Sequence, residues 1–307
     1  MTPLANRRAF VKAALGTAAG VAIVPATAWG RSKSTLVLTS LTDHMAVIAG
    51  AGANVVAARG PEGLLLVDGG RAEHAAALEK LALKELSARR VHTLANTHWH
   101  PEQTGSNERL GKAGARIFAH ENTKLWLGYA NEVPGQDRKW GPLPAKALPN
   151  ETVYDGGKFT FGDEAVEYGY LLQAHTDGDL CFFFPKANVL VTGGAVSGAG
   201  WPVIDYRTGG WIGGLVDGLK KLIARADDKT RIVPANGPVL TRADLEAQQK
   251  MYATIFDRLG KLMRKGLGPE EAIETAPSKE FDAQWGDSRQ FLTLAFRSMW
   301  GHFAPDA

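Results

Sequence analysis

His98 and His100 flank one tryptophan in the stretch Thr97-His98-Trp99-His100-Pro101-Glu102-Gln103. Neutral imidazole is a good zinc ligand, and in an extended chain residues two apart point to one side, so both rings can reach one cation. Pro101 and the polar run after it stop a strand there, which leaves the pair at a rim. A catalytic zinc site usually has three protein ligands and a water, so the pair is incomplete by itself. His44, His74, His92 and His302 stand alone and are read as structural or exposed; His120 ends a strand near the expected pocket mouth. Ser197 in GGAVSGAG lacks the spacing of a serine nucleophile elbow. GAGANV (50–55) lacks the third glycine and following helix of a dinucleotide loop, and fits strand packing better. Cys181 is the single cysteine, which excludes an internal disulfide framework and an all-thiolate zinc site and suits a buried, inert thiol.

The elements that must position the pair are legible as apolar runs between turn residues. STLVLTS (34–40), HMAVIAG (44–50), NVVAARG (54–60) and LLLVDGG (64–70) read as buried strands. A helix follows over 73–87, with Leu78, Ala82 and Leu86 on one stripe. VHTLANTH (91–98) and ARIFAH (115–120) are further strands, and NTKLWLGYA (122–130) a helix. The Pro- and Gly-rich segment 131–150 reads as a surface loop or lid. Strands are predicted at 164–173, 180–185 and 188–192, then a Gly-rich loop over 193–210. A helix is predicted over 212–225, a strand-to-loop at 231–238 and helices from 241 onward. Strands alternating with helices in two successive halves argue an α/β sandwich with its chemistry on loops at strand ends.

Residues 1–28 are an address and not part of that fold. Arg7, Arg8 and Lys12 precede the apolar stretch 13–28, which ends in Ala-Thr-Ala. That pattern is an export signal, and the arginine pair before Phe10 and Lys12 resembles the twin-arginine class. The stretch is shorter than the ~20 residues a spanning helix needs, so stable membrane insertion is not expected. Cleavage after Ala28 would leave a single domain over 33–307, periplasmic, with the twin-arginine export machinery as a transient partner. The formal charge of +3 is carried by the same three residues: beyond them, 32 basic side chains match 32 acidic ones. A neutral body offers no electrostatic reason for a nucleic-acid partner.

With LLLVDGG (64–70), THWHPEQTGSN (97–107), HTDGDLCFFFP (175–185), NVLVTGGAVSGAGWPVID (188–205) and RIVPANGPV (231–239) in this order, the chain resembles the metallo-β-lactamase-fold hydrolases over 34–300. The resemblance implies a four-layer αββα sandwich with the site at one edge, between two sheets. It implies one Zn2+ per chain, held by His98, His100 and His175. Where the family signature T-H-x-H-x-D-H-x-G-G and its later segments supply second-metal ligands, this chain has Glu102, Gln103, Gly194 and Asn236. Neutral amides are poor zinc ligands beside imidazole, so a second tightly held zinc is not expected.

Three readings follow. In the first, a mononuclear zinc enzyme hydrolyses an ester, lactone, amide or thioester of a small-molecule substrate through a zinc-bound hydroxide. Glu102 is then the general base, and Gln103 and Asn236 bond substrate or water. In the second, the chain is a degenerate, non-catalytic binding or accessory protein. In the third, Glu102 swings in to support another divalent ion. Asp177 and Asp179, just past His175, are expected to take a proton from a ligand ring, and Asp68 to brace backbone or ligand from behind. Trp201, with Pro202 and Tyr206, is expected either to line a substrate pocket or to pack beneath the loop.

Overall fold

Leu64-Leu65-Leu66-Val67 is buried at every position, because the strand it forms has a covered face on each side. Successive side chains on a strand point to opposite faces. Leu64 and Leu66 accordingly join a cluster with Leu78 and Ala82. Leu65 and Val67 join a different one with Phe182, Phe184 and Val191.

The structure, a computed structural model, describes residues 35–303; the expected export signal over 1–28 lies outside them. The first half runs β1 (Val37–Thr42), β2 (Met45–Ala49), β3 (Val55–Gly60), β4 (Gly63–Val67), α1 (Ala75–Glu85), β5 (Val91–Ala95), α2 (Pro101–Thr104), α3 (Asn107–Lys112), β6 (Arg116–His120) and α4 (Glu121–Leu127). A short hairpin of β7 (Asn131–Glu132) and β8 (Lys139–Trp140) follows, then β9 (Glu151–Val153). The second half runs β10 (Gly157–Phe161), β11 (Glu164–Tyr170), β12 (Leu180–Phe184), β13 (Val189–Gly193), α5 (Ile212–Arg225), β14 (Arg231–Pro234), α6 (Arg242–Arg264), α7 (Pro269–Glu274), α8 (Lys279–Trp285) and α9 (Arg289–Phe303).

Two sheets face each other. One has the order β1-β2-β3-β4-β5-β6-β9 and the other β10-β11-β12-β13-β14. The core between them is built from Val47, Val56, Leu65, Phe182, Phe184 and Val189. Helix α1 covers the outer face of the first sheet through Leu78 and Ala82. The outer face of the second is covered by α5, α6 and α9, through Leu215, Leu219, Ile255 and Phe296. These are the four αββα layers. At the start of α6, Asp244 Oδ2 accepts from the backbone N–H of Thr241 at 2.8 Å and from its hydroxyl at 2.7 Å, which fixes the first turn.

The segment 131–150 is more ordered than its composition suggests. It carries the β7–β8 hairpin and a one-turn helix at Ala145–Ala147, and Val133 is buried beside Trp99 and Leu127. Strands β9 and β10 lie outside the predicted set, and β11 ends at Tyr170, three residues before the predicted limit.

Candidate metal centre

His98 and His100 do not lie on a strand. β5 stops at Ala95 and the chain bends through 97–100 before α2 starts at Pro101. The turn carries both rings toward the loop between β11 and β12, where His175 sits. A backbone bond from Leu180 N to Thr97 O, 2.8 Å, ties the two loops together across the sheets. The ring centroids of His98, His100 and His175 are 4.6–4.8 Å apart, and one ligand nitrogen from each lies within 4.8 Å of the others.

Each ring is oriented from behind. His175 Nδ1 donates to the Val203 carbonyl at 2.7 Å, and His100 Nε2 donates to Asp205 Oδ2 at 3.0 Å. Thr97 Oγ1 spends its proton on Asp68 Oδ2 at 2.9 Å, so it accepts from His98 Nδ1 at 3.0 Å. With those protons placed, His98 Nε2, His100 Nδ1 and His175 Nε2 are left as lone pairs facing inward. His100 Nδ1 and His175 Nε2 are 3.1 Å apart. Two lone pairs repel at that distance unless a cation lies between them. Three zinc–nitrogen bonds of about 2.0–2.1 Å would hold tetrahedral ligands roughly 3.3 Å apart, so the donor set fits such an ion.

Electrostatics keep the lone pairs available. Burial, together with the neighbouring rings, holds His98 well below the ordinary imidazole range. Burial and His100 push His175 down to about 4. Burial raises the Asp68 carboxyl to about 8 against the lowering effect of Thr97, whose N–H also donates to Asp68 Oδ1 at 2.8 Å. Asp205 goes the other way: burial opposes ionisation, but the bonds from His100 and from the Thr208 hydroxyl, 2.6 Å, hold it below the carboxylate range. Replacing Asp205 with alanine strands the His100 N–H and frees its ring. Metal affinity is then expected to fall ~10–100-fold in competition with a chromogenic chelator, and an unchanged affinity would remove Asp205 from the centre.

The carboxylates next to His175 in sequence are turned elsewhere. Asp179 accepts from the backbone N–H of Thr176 at 2.9 Å and from its hydroxyl at 2.7 Å, and it meets the His175 backbone N–H instead of its ring. Asp177 accepts from Trp126 Nε1 at 2.7 Å. The ring partners are Asp205 and Val203, which the sequence reading missed; the one signal was that Asp205 is the sole acid in the Gly-rich stretch 193–210. Trp201 packs beneath its loop: its ring stacks on Phe291 at 4.8 Å and its N–H donates to Gly286 O. His120 caps α4 through Nδ1 and binds Tyr154 O through Nε2.

Glu102 carries an unforeseen partner. Arg71 donates to its Oε1 from Nε at 2.9 Å and Nη2 at 2.6 Å, Gln136 Nε2 donates to the same oxygen at 2.9 Å, and Arg138 approaches to 3.6 Å. Burial works against the charge, but Gln136 and Arg71 together hold the carboxyl below its ordinary value. The Arg71 stem lies over Gly52, where a Cβ would come 2.7 Å from Cγ. Gln103 is buried on α2. Asn236 is exposed, and its Oδ1 accepts from Ser197 Oγ and Gly198 N, bracing that loop. Gly194 lies under His175, with no room for a side chain: a Cβ would sit 2.2 Å from Cδ2 of the ring.

The model of the metallo-beta-lactamase superfamily matches residues 49–248. The chain belongs to that superfamily. A curated superfamily relative, hydroxyacylglutathione hydrolase from Hyphomonas neptunium, is 29% identical over 121 residues, covering 39% of this chain and 40% of that protein. The chain thus spans about two-fifths of the length of that relative. Among solved structures, the stereoselective inverting sec-alkylsulfatase Pisa1 from Pseudomonas sp. matches with a TM-score of 0.70 at 19% identity, over 89% of this chain and 51% of that one. The metallo-beta-lactamase from Pontibacter korlensis matches with 0.58 at 17%, over 71% and 99%. At such identities the likeness is one of fold.

Proposed function

We propose that this superfamily member is an exported, mononuclear zinc hydrolase acting on an ester, lactone, amide or thioester. The observation that supports it is the donor set itself, three imidazoles each fixed from behind so that one ring nitrogen faces a common point. Three features favour one cation over two: the ring of His175 against Gly194, the Asn236 amide turned to its own loop, and Glu102 held by Arg71. When bound, zinc supplies Lewis acidity, activating water near neutral pH and polarising a carbonyl.

The side chains do the remainder. Asp205, Val203 and the Thr97–Asp68 pair hold the imidazole tautomers and ring planes. Glu102, with Oε1 bound by Arg71 and Gln136, is disposed to orient a water or a substrate group and poorly disposed to take up a proton, since its carboxyl is held below the ordinary range. That same ion pair favours a second reading, ligand binding without turnover. The substrate is a small molecule in either case; among the described residues no helix is long and apolar enough to cross a membrane.

Elemental analysis of protein released by osmotic shock tests the first reading and its export together. About one zinc per chain is expected in the periplasmic fraction, and under a tenth of that in His98→Ala. A panel of chromogenic esters, lactones, thioesters and β-lactams should be turned over by wild type and not by the variant. Zinc without any turnover, or no zinc at all, overturns the hydrolase and leaves the binding reading standing.

A further inference from the structure

A cavity of about 440 Å³ lies against the metal centre, a volume suited to a small ligand. Three elements wall it: the β7–β8 hairpin, the loop of Ile204 to Arg207, and α9. From α9 come Gln290, Leu294 and Arg297, spaced as one helical face. The loop is shared with the metal centre, because Asp205 lines the cavity while its carboxylate holds His100. The hairpin is shared too: Gln136 and Arg138 line the cavity and both approach Glu102.

The lining carries more positive than negative charge. Arg207 is paired with Glu132, and Asp205 is taken by His100 and Thr208. Glu102 is one carboxylate facing two guanidinium groups, Arg71 and Arg138. Of the other charged lining residues, Asp137 is acidic and Lys139 and Arg297 are basic, and the side chain of neither base takes part in a hydrogen bond or ion pair among the described residues. Pro134 and Leu294 supply apolar wall between these groups, with Val133 and Ile204 buried behind it.

We infer that this cavity binds an amphiphilic anion, an oxyanion head on a short apolar chain, with the head at Arg297 and Lys139 and the chain against Pro134 and Leu294. Charge-assisted bonds to a carboxylate or sulfate satisfy the two side chains that the fold leaves without partners. The inference stands on the cavity and does not depend on the metal. It does place an acid-binding pocket beside a centre where acyl hydrolysis would release one.

Isothermal titration with sodium octanoate, sodium octyl sulfate and 1-octanol tests it. Octanoate should bind at about one site per chain, at least tenfold more tightly than 1-octanol. Arg297→Glu, an exposed position, should weaken octanoate at least tenfold and Lys139→Ala by about threefold, while His98→Ala leaves it unchanged. A stronger response to octyl sulfate assigns the head to a sulfate within the same class. Equal affinity for octanoate and 1-octanol, no binding of either, or indifference to Arg297→Glu overturns the site. So does loss of octanoate in His98→Ala, which would move the anion to the metal centre.

Discussion

Alanine at position 194 is expected to strip the centre of metal, taking bound zinc from about one per chain to near zero after dialysis. The added methyl carbon would sit 2.2 Å from Cδ2, 2.6 Å from Cγ and 2.7 Å from Nε2 of His175. Nε2 is the atom that faces the other two rings, so the collision falls on a ligand. His175 cannot retreat cheaply. Its Nδ1 is bound to Val203 O, and its backbone carbonyl packs against Gly210, where a Cβ would come within 2.1 Å. Gly194 is not among the positive-φ glycines, so alanine accepts its backbone and the effect is steric alone. Overpacking of this kind costs about 1–3 kcal/mol, which a chain of this size should survive. Circular dichroism should therefore report a folded, metal-poor protein. Aspartate at 194 collides with the same ring, so it is expected to lower zinc content and not to build a second site. An alanine variant that keeps its full zinc complement would show that the His175 ring is not held where the donor set requires it.

The layers were readable because their cause is local. A strand buried on both faces must be apolar at consecutive positions, and Leu64 to Val67 advertises that. The helix over 212–225 was equally plain, since Ile212, Leu215, Leu219 and Leu222 are among the residues it buries. The hairpin at 131–140 was not, because each of its strands has only two residues and its order comes from Val133 packing on Trp99 and Gln136 reaching Glu102. The three imidazoles were found through a resemblance in motif order; their partners escaped it. An imidazole extends away from its own backbone, so the group that receives its far N–H comes from a distant segment. Asp205 meets His100 across 105 residues and Arg71 meets Glu102 across 31. Asp179, close in sequence, does what short polar side chains near a turn do and binds the adjacent N–H groups. The second-metal positions show the same limit. The change to Gly194 reads as a lost ligand in sequence, whereas in the fold it is the space that His175 fills.

Trp99, the residue between the two histidines, is expected to be the largest single contributor to stability near the centre. It is fully buried, among Leu127, Val133 and the flanking Trp126, Trp140 and Leu148. Truncation to alanine removes an indole from a filled space, which typically costs about 3–5 kcal/mol. For a domain of this size that corresponds to a fall in thermal midpoint on the order of 10 °C. Trp99 is also wired to the centre. Its Nε1 donates to Thr208 Oγ1 at 3.1 Å, Thr208 donates to Asp205 Oδ2 at 2.6 Å, and that same oxygen receives the His100 N–H. Phenylalanine separates the two contributions, since it keeps most of the packing and drops the N–H. Measured in metal-free protein under chelator, Trp99→Phe should lose only about 1 kcal/mol, with alanine far below it. Measured as metal affinity, phenylalanine should show a smaller loss than Asp205→Ala, because Thr208 can still donate to Asp205 once its own donor is gone. If Trp99→Ala melts within a few degrees of wild type, the tryptophan fills no essential volume, and the bend that presents His98 and His100 must be held by the Asp68–Thr97 bonds alone.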